Sequence, residues 1–176
     1  MPWSYIPKIA GFNSRLRYQT TMKVIFLDID GVLNTTKSLK EARLHKIGIG
    51  SFWNWEKRCL FNLLHITDAV PEAQIVLSSD WRLFDDASDS VWVGLRRAGL
   101  NPPIDKTPDM TRRFDHVCRG DEIQAWLDQH EDVTHFVILD DWEKVLPEQE
   151  DHLVRTDEKL GLTWADAEKA IEILSL

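Results

Sequence analysis

The sequence is short of several things, and each shortage excludes something. It has only two cysteines, Cys59 and Cys118, without metal-ligand spacing, so neither a disulfide framework nor a zinc cluster is expected. Its histidines show no zinc-type pairing, and His116 and His152 stand alone. No apolar run approaches the ~20 residues of a membrane-spanning helix. The N-terminus lacks the charged-then-apolar layout of a secretory signal. A reduced, cytoplasmic setting is the expectation. Basic residues are outnumbered: 21 Lys and Arg face 29 Asp and Glu, for a net charge of -8. That argues against broad non-specific binding to nucleic acid, which rests on many Lys/Arg–phosphate contacts. A local basic groove stays open, and an acidic chain suits a site that collects carboxylates around a divalent cation. Internal repeats and low-complexity segments are also missing.

What is present suffices for one packed domain: 176 residues, 43% of them hydrophobic. Residues 1–21 mix Pro2, Pro7, Gly11, Lys8, Arg15 and Arg17 without sustained periodicity. They are read as an N-terminal extension, either a disordered tail or an edge strand or flap, before a single domain over 22–176. Met22 stands directly before the first strand, so a native start there is also open.

From Lys23 onward strands and helices alternate. Lys23 to Asp28 is a short apolar run ending in Asp and Gly, which predicts a buried strand. Residues 54–69 carry Trp55, Cys59, Leu63 and Ile66 near helical spacing, and Pro71 ends that helix. Gln74 to Ser78 is a second strand. Residues 86–98 predict a helix stopped by Gly99. A short strand is expected around Ile104. Asp121 to Gln129 places Ile123, Trp126 and Leu127 on one helical side. His135 to Asp140 is a third strand. Thr163 caps a last helix whose apolar side is Ala167, Ala170, Ile171 and Leu174. The alternation predicts an α/β fold: a three-layer α/β/α sandwich with a mainly parallel, Rossmann-like sheet.

Three strands end alike: Asp28-Ile-Asp30-Gly31, Ser78-Ser79-Asp80 and Asp140-Asp141. Ligands of open parallel sheets bind outside the carboxyl ends of the strands, so these termini are expected to converge. Asp28, Asp30 and Asp141 would bring hard oxygen ligands together, which suits Mg2+. Without a cation such carboxylates repel one another and their pKa values rise. Beside a cation, one carboxylate can attack phosphorus and another can act as general acid and then base. Gly31 lets the chain turn sharply beside the substrate, and the Ser78 hydroxyl can bond a phosphoryl oxygen.

Phe26 to Asn34, with its Asp28-x-Asp30-Gly31 core, resembles the first motif of the haloacid dehalogenase (HAD) superfamily. Ile75 to Ser79 is similar to the second motif, Arg119 to the cation of the third, and Val137 to Asp141 to the acidic fourth. Ser-Ser-x-Trp-Arg, Arg119-x-x-Glu-Ile-x-x-Trp-Leu, Ile-Leu-Asp-Asp and the later Arg155-Thr-Asp157 resemble a subgroup that includes HAD domains of Swiss-army-knife RNA repair proteins. The resemblance implies a Mg2+-dependent phosphatase without a large cap domain. It makes Asp28 nucleophile and metal ligand, and Asp30 acid/base with a carbonyl on the metal. Ser78, Ser79 and Arg119 become phosphate holders, and Asp141 a further ligand supported by Asp140. Arg112 and Arg113 precede the same helix as Arg119 and are alternative third-motif cations. The second Asp is missing from the family's dehalogenases, because a carbon–halogen bond needs no leaving-group protonation; Asp30 therefore favours phosphate chemistry.

Thr35 to Phe52 is too short for a folded cap, so the site is expected to be open and to admit substrates as large as a polynucleotide end. Asn34, Trp81, Arg82 and Trp142 are candidate substrate contacts. Trp81 and Trp142 could stack on a base or pack internally. Arg82 could bind phosphate or pair with Asp85 or Asp86. Trp55, Trp92, Trp126 and Trp164 sit at helical spacing and are expected in the core. Lys37 to Lys46 is expected to be a solvated loop, with contact to an anionic substrate beside the first motif as the alternative. The leading expectation is a phosphomonoesterase for a nucleotide or a nucleic-acid 3′-phosphate, needing no membrane and no obligate protein partner. A non-catalytic module binding a phosphorylated nucleotide and a small-metabolite phosphatase are the alternatives.

Overall fold

The computed structural model describes residues 21–45, 54–110 and 116–176. The readings of the N-terminal extension, of Phe52 and of Arg112 and Arg113 fall outside these ranges. Five strands form one sheet in which every pairing is parallel: β1 (Met22–Leu27), β2 (Ala73–Leu77), β3 (Asp105–Lys106), β4 (Val133–Asp140) and β5 (Leu153–Arg155). Their spatial order is β3-β2-β1-β4-β5. The order reverses at β1, whose neighbours are β2 on one side and β4 on the other. A crevice opens at such a switch point, outside the carboxyl ends of the two strands that diverge.

The period-two alternation of β1 divides its side chains between two cores. Ile25 and Leu27, with Ile75, Leu77, Val137 and Leu139, pack against α2 (Lys57–Ala69), α3 (Asp85–Arg97) and α5 (Trp164–Ser175). Val24 and Phe26, with Val76 and Ile138, pack against Ile123 and Trp126 of α4 (Arg119–Leu127). Phe26 meets the Trp126 ring edge-on at 5.4 Å. These contacts make the three layers. Because both faces are covered, β1 and β4 read as continuous apolar runs rather than as alternating ones.

Local signals set most helix ends. Thr163 caps α5, its hydroxyl accepting from the Asp166 N–H while the Asp166 carboxylate accepts from the Thr163 N–H. Gly99, at φ 85°, follows α3 in the left-handed conformation that ends helices. Two readings are corrected here. Lys37 to Lys46 is not a loop as far as His45: Thr35 and Ser38 form a reciprocal cap on α1 (Thr36–Leu44), and the helix buries only Ala42. Trp164 is not in the core; it is 51% exposed at the start of α5, stacked on His65. Among the described residues there is no cap domain, and no helix is long and apolar enough to cross a membrane.

Candidate active site at the sheet switch point

Strand register assembles the site. Leu27 pairs with Leu77 on one side and with Leu139 on the other. The next residue of each strand is therefore level: Ser78, Asp28 and Asp140. The Asp28 N–H donates to the Leu139 carbonyl at 2.9 Å, and the Ser78 N–H to the Leu27 carbonyl at 2.8 Å. One residue further, Asp141 and Ser79 turn toward the same crevice. A cavity of about 330 Å³ is lined there by Asp28, Asp30, Ser79, Arg119, Asp140 and Asp141, among others.

Gly31 closes the turn after β1. Its φ of 74° suits glycine, and a Cβ there would overlap the Asp141 carboxylate. The Thr156 hydroxyl, one residue past β5, donates to the Gly31 carbonyl at 2.8 Å and fastens this turn. One oxygen each of Asp28, Asp140 and Asp141 lies within 4.8 Å of the others. Burial and then the neighbouring Asp140 push the Asp28 carboxyl well above the usual range, against the pull of Arg119, Ser79 and the Ile29 N–H. Burial pushes Asp140 up to about 6, even though Arg119 opposes it. Asp141 is raised by burial, then by Glu158 and Asp30. Three hard oxygen donors that repel one another in a half-closed crevice fit Mg2+, which supplies the missing charge.

Arg119 opens α4, and the helix and the residues leading into it border the cavity through Val117, Cys118 and Glu122. Gly120 lets this turn approach the following loop, since a Cβ would overlap the Leu146 backbone nitrogen. The Arg119 Nη2 lies 3.4 Å from Asp80 and its Nε 3.6 Å from Asp140. Its Nη1 is buried without a hydrogen-bond partner among the described residues. A guanidinium donor left idle at a helix N-terminus suits an anion.

The two serines differ. Ser79 lines the cavity and helps hold Asp28 in its charged form. The Ser78 hydroxyl is buried without a hydrogen-bond partner among the described residues, and Ser78 is not among the lining residues. Three of the four candidate substrate contacts face inward. The Asn34 amide donates to Asp30 Oδ1 at 2.6 Å and accepts the Gly31 N–H at 3.2 Å. The Trp81 indole is buried and donates to Asp30 Oδ2 at 3.0 Å. Asn34 and Trp81 thus hold both oxygens of Asp30, and Trp81 offers no open ring to a base. Arg82 is 4% exposed and pairs with Glu122 at 2.5 Å, not with Asp85 or Asp86. It also donates to the carbonyls of Ser79, Thr107 and Pro108. It is a strut between the β2 end and α4, with its donors occupied. Trp142 alone of the four stands open, at 60% exposure. Lys144 also lines the cavity and was not singled out from sequence. Its place three residues past Asp141, at a strand's carboxyl end, was the available signal.

Fold and site together define an α/β domain with an acidic, cation-ready centre at its sheet switch point. Residues 24–167 match the family described as HAD domain in Swiss Army Knife RNA repair proteins, and the chain belongs to that family. No curated protein and no solved structure matches the chain. HAD domains are generally phosphatases and typically use Mg2+, so a phosphatase-type hydrolase is the functional class.

Two outcomes follow from this geometry. Breaking the buried strut strands a charge, so Arg82→Met should lower unfolding free energy by about 3–5 kcal/mol in urea melts; a loss below ~1 kcal/mol would contradict the strut. The second concerns Asp140 in chelator. A carboxyl raised to about 6 in the folded chain takes up a proton on folding. Its contribution is full below its unfolded value near ~4 and is lost as pH rises through the folded value. Asp140→Asn should therefore exceed wild type by roughly 3 kcal/mol at about pH 7.5 and approach it below about pH 4. A difference independent of pH would count against a buried Asp140 carboxyl raised in the folded chain.

Proposed function

We propose that this chain is a Mg2+-dependent phosphomonoesterase that works through an aspartyl-phosphate on Asp28. Its substrate is a nucleotide or a nucleic-acid 3′-phosphate. The observation that carries the reading is one cavity holding the Asp28–Asp140–Asp141 oxygens together with the idle Nη1 of Arg119. Asp28, Asp141 and the Asp30 carbonyl would hold the ion, with Asp140 beside them. When bound, Mg2+ neutralises the carboxylates and the incoming phosphoryl oxygens.

The chain's own residues account for the rest. Arg119 and Ser79 bind the phosphoryl oxygens. An Asp28 oxygen attacks phosphorus as the ester P–O bond breaks, and Asp30 gives its proton to the departing oxygen. Asp30 then takes a proton from water, which attacks the phosphorus of the acyl phosphate. Inorganic phosphate leaves and Asp28 is restored. Asn34 and Trp81 aim the Asp30 carboxyl during both proton transfers.

Phosphate release from nucleotides and 3′- or 5′-phosphorylated oligonucleotides, with Mg2+ or chelator, tests the reading. Asp28→Asn should reduce turnover by roughly 10³-fold or more while the protein stays folded. Unchanged turnover in that variant would sink the assignment. The role of Asp30 has its own signature in kcat/KM, which reports the step up to phosphoryl transfer. An alkoxide leaving group needs a proton, whereas nitrophenolate leaves without one. Trp81→Phe and Asn34→Ala should lower the ratio of kcat/KM for an alkyl phosphate to that for p-nitrophenyl phosphate by about 10-fold or more. An unaltered ratio would mean that neither residue positions the acid.

A further inference from the structure

Trp142 stands apart from the described tryptophans that hold buried positions. Trp55, Trp81 and Trp126 are at most 7% exposed, whereas Trp142 is 60% exposed at the mouth of the site. Trp164 is exposed as well, at 51%, so what singles out Trp142 is its place on the wall of the cavity that holds Asp28 and Arg119. It is also anchored. The backbone N–H of Trp142 donates to Asp140 Oδ1 at 2.8 Å, which ties the main chain beneath the ring to the carboxylate cluster. The Lys144 Nζ lies 5.1 Å from the ring centroid, within cation–π range. Trp142 and Lys144 both line the cavity that holds Asp28 and Arg119. Trp142 also borders a second hollow of about 440 Å³, lined by Asp141, Arg155, Thr156, Asp157 and Glu158. The ring therefore stands between the phosphoryl cavity and a neighbouring space large enough for a base.

We propose that Trp142 and Lys144 form a nucleotide subsite: the base beside the scissile phosphate stacks on the Trp142 ring, and Lys144 pairs with the next phosphodiester of the strand. The proposal rests on the phosphomonoesterase reading and names what that site takes, a single-stranded end with at least one internucleotide phosphate. Stacking on an aromatic ring serves any base, so the subsite reads the presence of a base, not its identity. An ammonium is a point charge suited to a phosphate. The chain carries a net charge of -8, and among the described residues Lys144 and Arg119 are the cations lining the cavity. A single Lys144–phosphodiester pair predicts a shallow added salt dependence, with a log–log slope of about -0.7 for a single strand.

The test measures kcat/KM for the end that the wild type dephosphorylates, 3′ or 5′, in matched substrates. One is an oligonucleotide with an intact terminal base, another is the same strand with an abasic terminal sugar, and a third is the mononucleotide. Acetyl phosphate, which has neither base nor strand, reports the hydrolase itself. The wild type is expected to favour the base-bearing end over the abasic end by about 10-fold, and Trp142→Ala to bring that ratio to near one. Lys144→Ala is expected to erase the preference for oligonucleotide over mononucleotide together with its salt dependence. Either ratio unchanged in its variant, or a wild type indifferent to base and strand, would overturn the subsite while acetyl phosphate turnover keeps the phosphatase standing. A wild type that releases phosphate from none of the four would overturn the phosphatase reading and the subsite with it.

Discussion

Carboxylate repulsion at the switch point is the constraint on which the rest of the structure bears. Asp28, Asp140 and Asp141 bring oxygens within 4.8 Å of one another where water is partly excluded. Left alone they would separate or stay protonated; burial first, and then the neighbouring Asp141, raises Asp140 to about 6. The backbone prevents separation. Leu27 is locked between Leu77 and Leu139, so Asp28 and Asp140 leave the sheet at one level. A shift of about two units is worth roughly 3 kcal/mol. Each fully buried Leu or Ile contributes ~1.5–3 kcal/mol. Val24, Ile25, Phe26 and Leu27 are all fully buried, so the apolar strand outweighs the charged end it carries.

The surroundings of the cluster follow from that arrangement. Gly31 is small because Asp141 occupies the space beside it, and Thr156 fastens the same turn from one residue past β5. Arg82 spends its donors on Glu122 and three carbonyls, which ties the β2 end to α4. α4 in turn sets Arg119 opposite the carboxylates. Three basic groups thus take separate parts: Arg82 is structural, Arg119 faces the anion's place, and Lys144 stands at the rim with Trp142.

The strand ends were legible because buried parallel strands are unbroken apolar runs, and the first polar residue after each run marks the edge of the sheet. The helices with a wide apolar side were legible for the same reason, as was the Thr163 cap. α1 was not, because Thr36 to Leu44 is mostly polar and is held by a cap rather than by a buried stripe. β5 is three residues long and joins the sheet only through β4, so periodicity has nothing to act on. The site was legible in composition more than in pairing. Asn34, Trp81 and Arg82 were drawn toward the site by their positions, but sequence names a donor without its acceptor. Their acceptors are Asp30, Glu122 and backbone carbonyls that only the folded chain brings near. Ser78 and Ser79 are neighbours of one type, and only the strand's exit decides which lines the cavity.

Calorimetric titration of the chelated protein with Mg2+ at about neutral pH addresses the carboxylate cluster most directly. The account predicts one ion per chain, with affinity falling by about 10-fold or more in Asp141→Asn, where a ligand charge is removed but the turn at Gly31 is kept. Absence of binding, or binding of the same strength in Asp141→Asn, would contradict the claim that these carboxylates are held together for a cation.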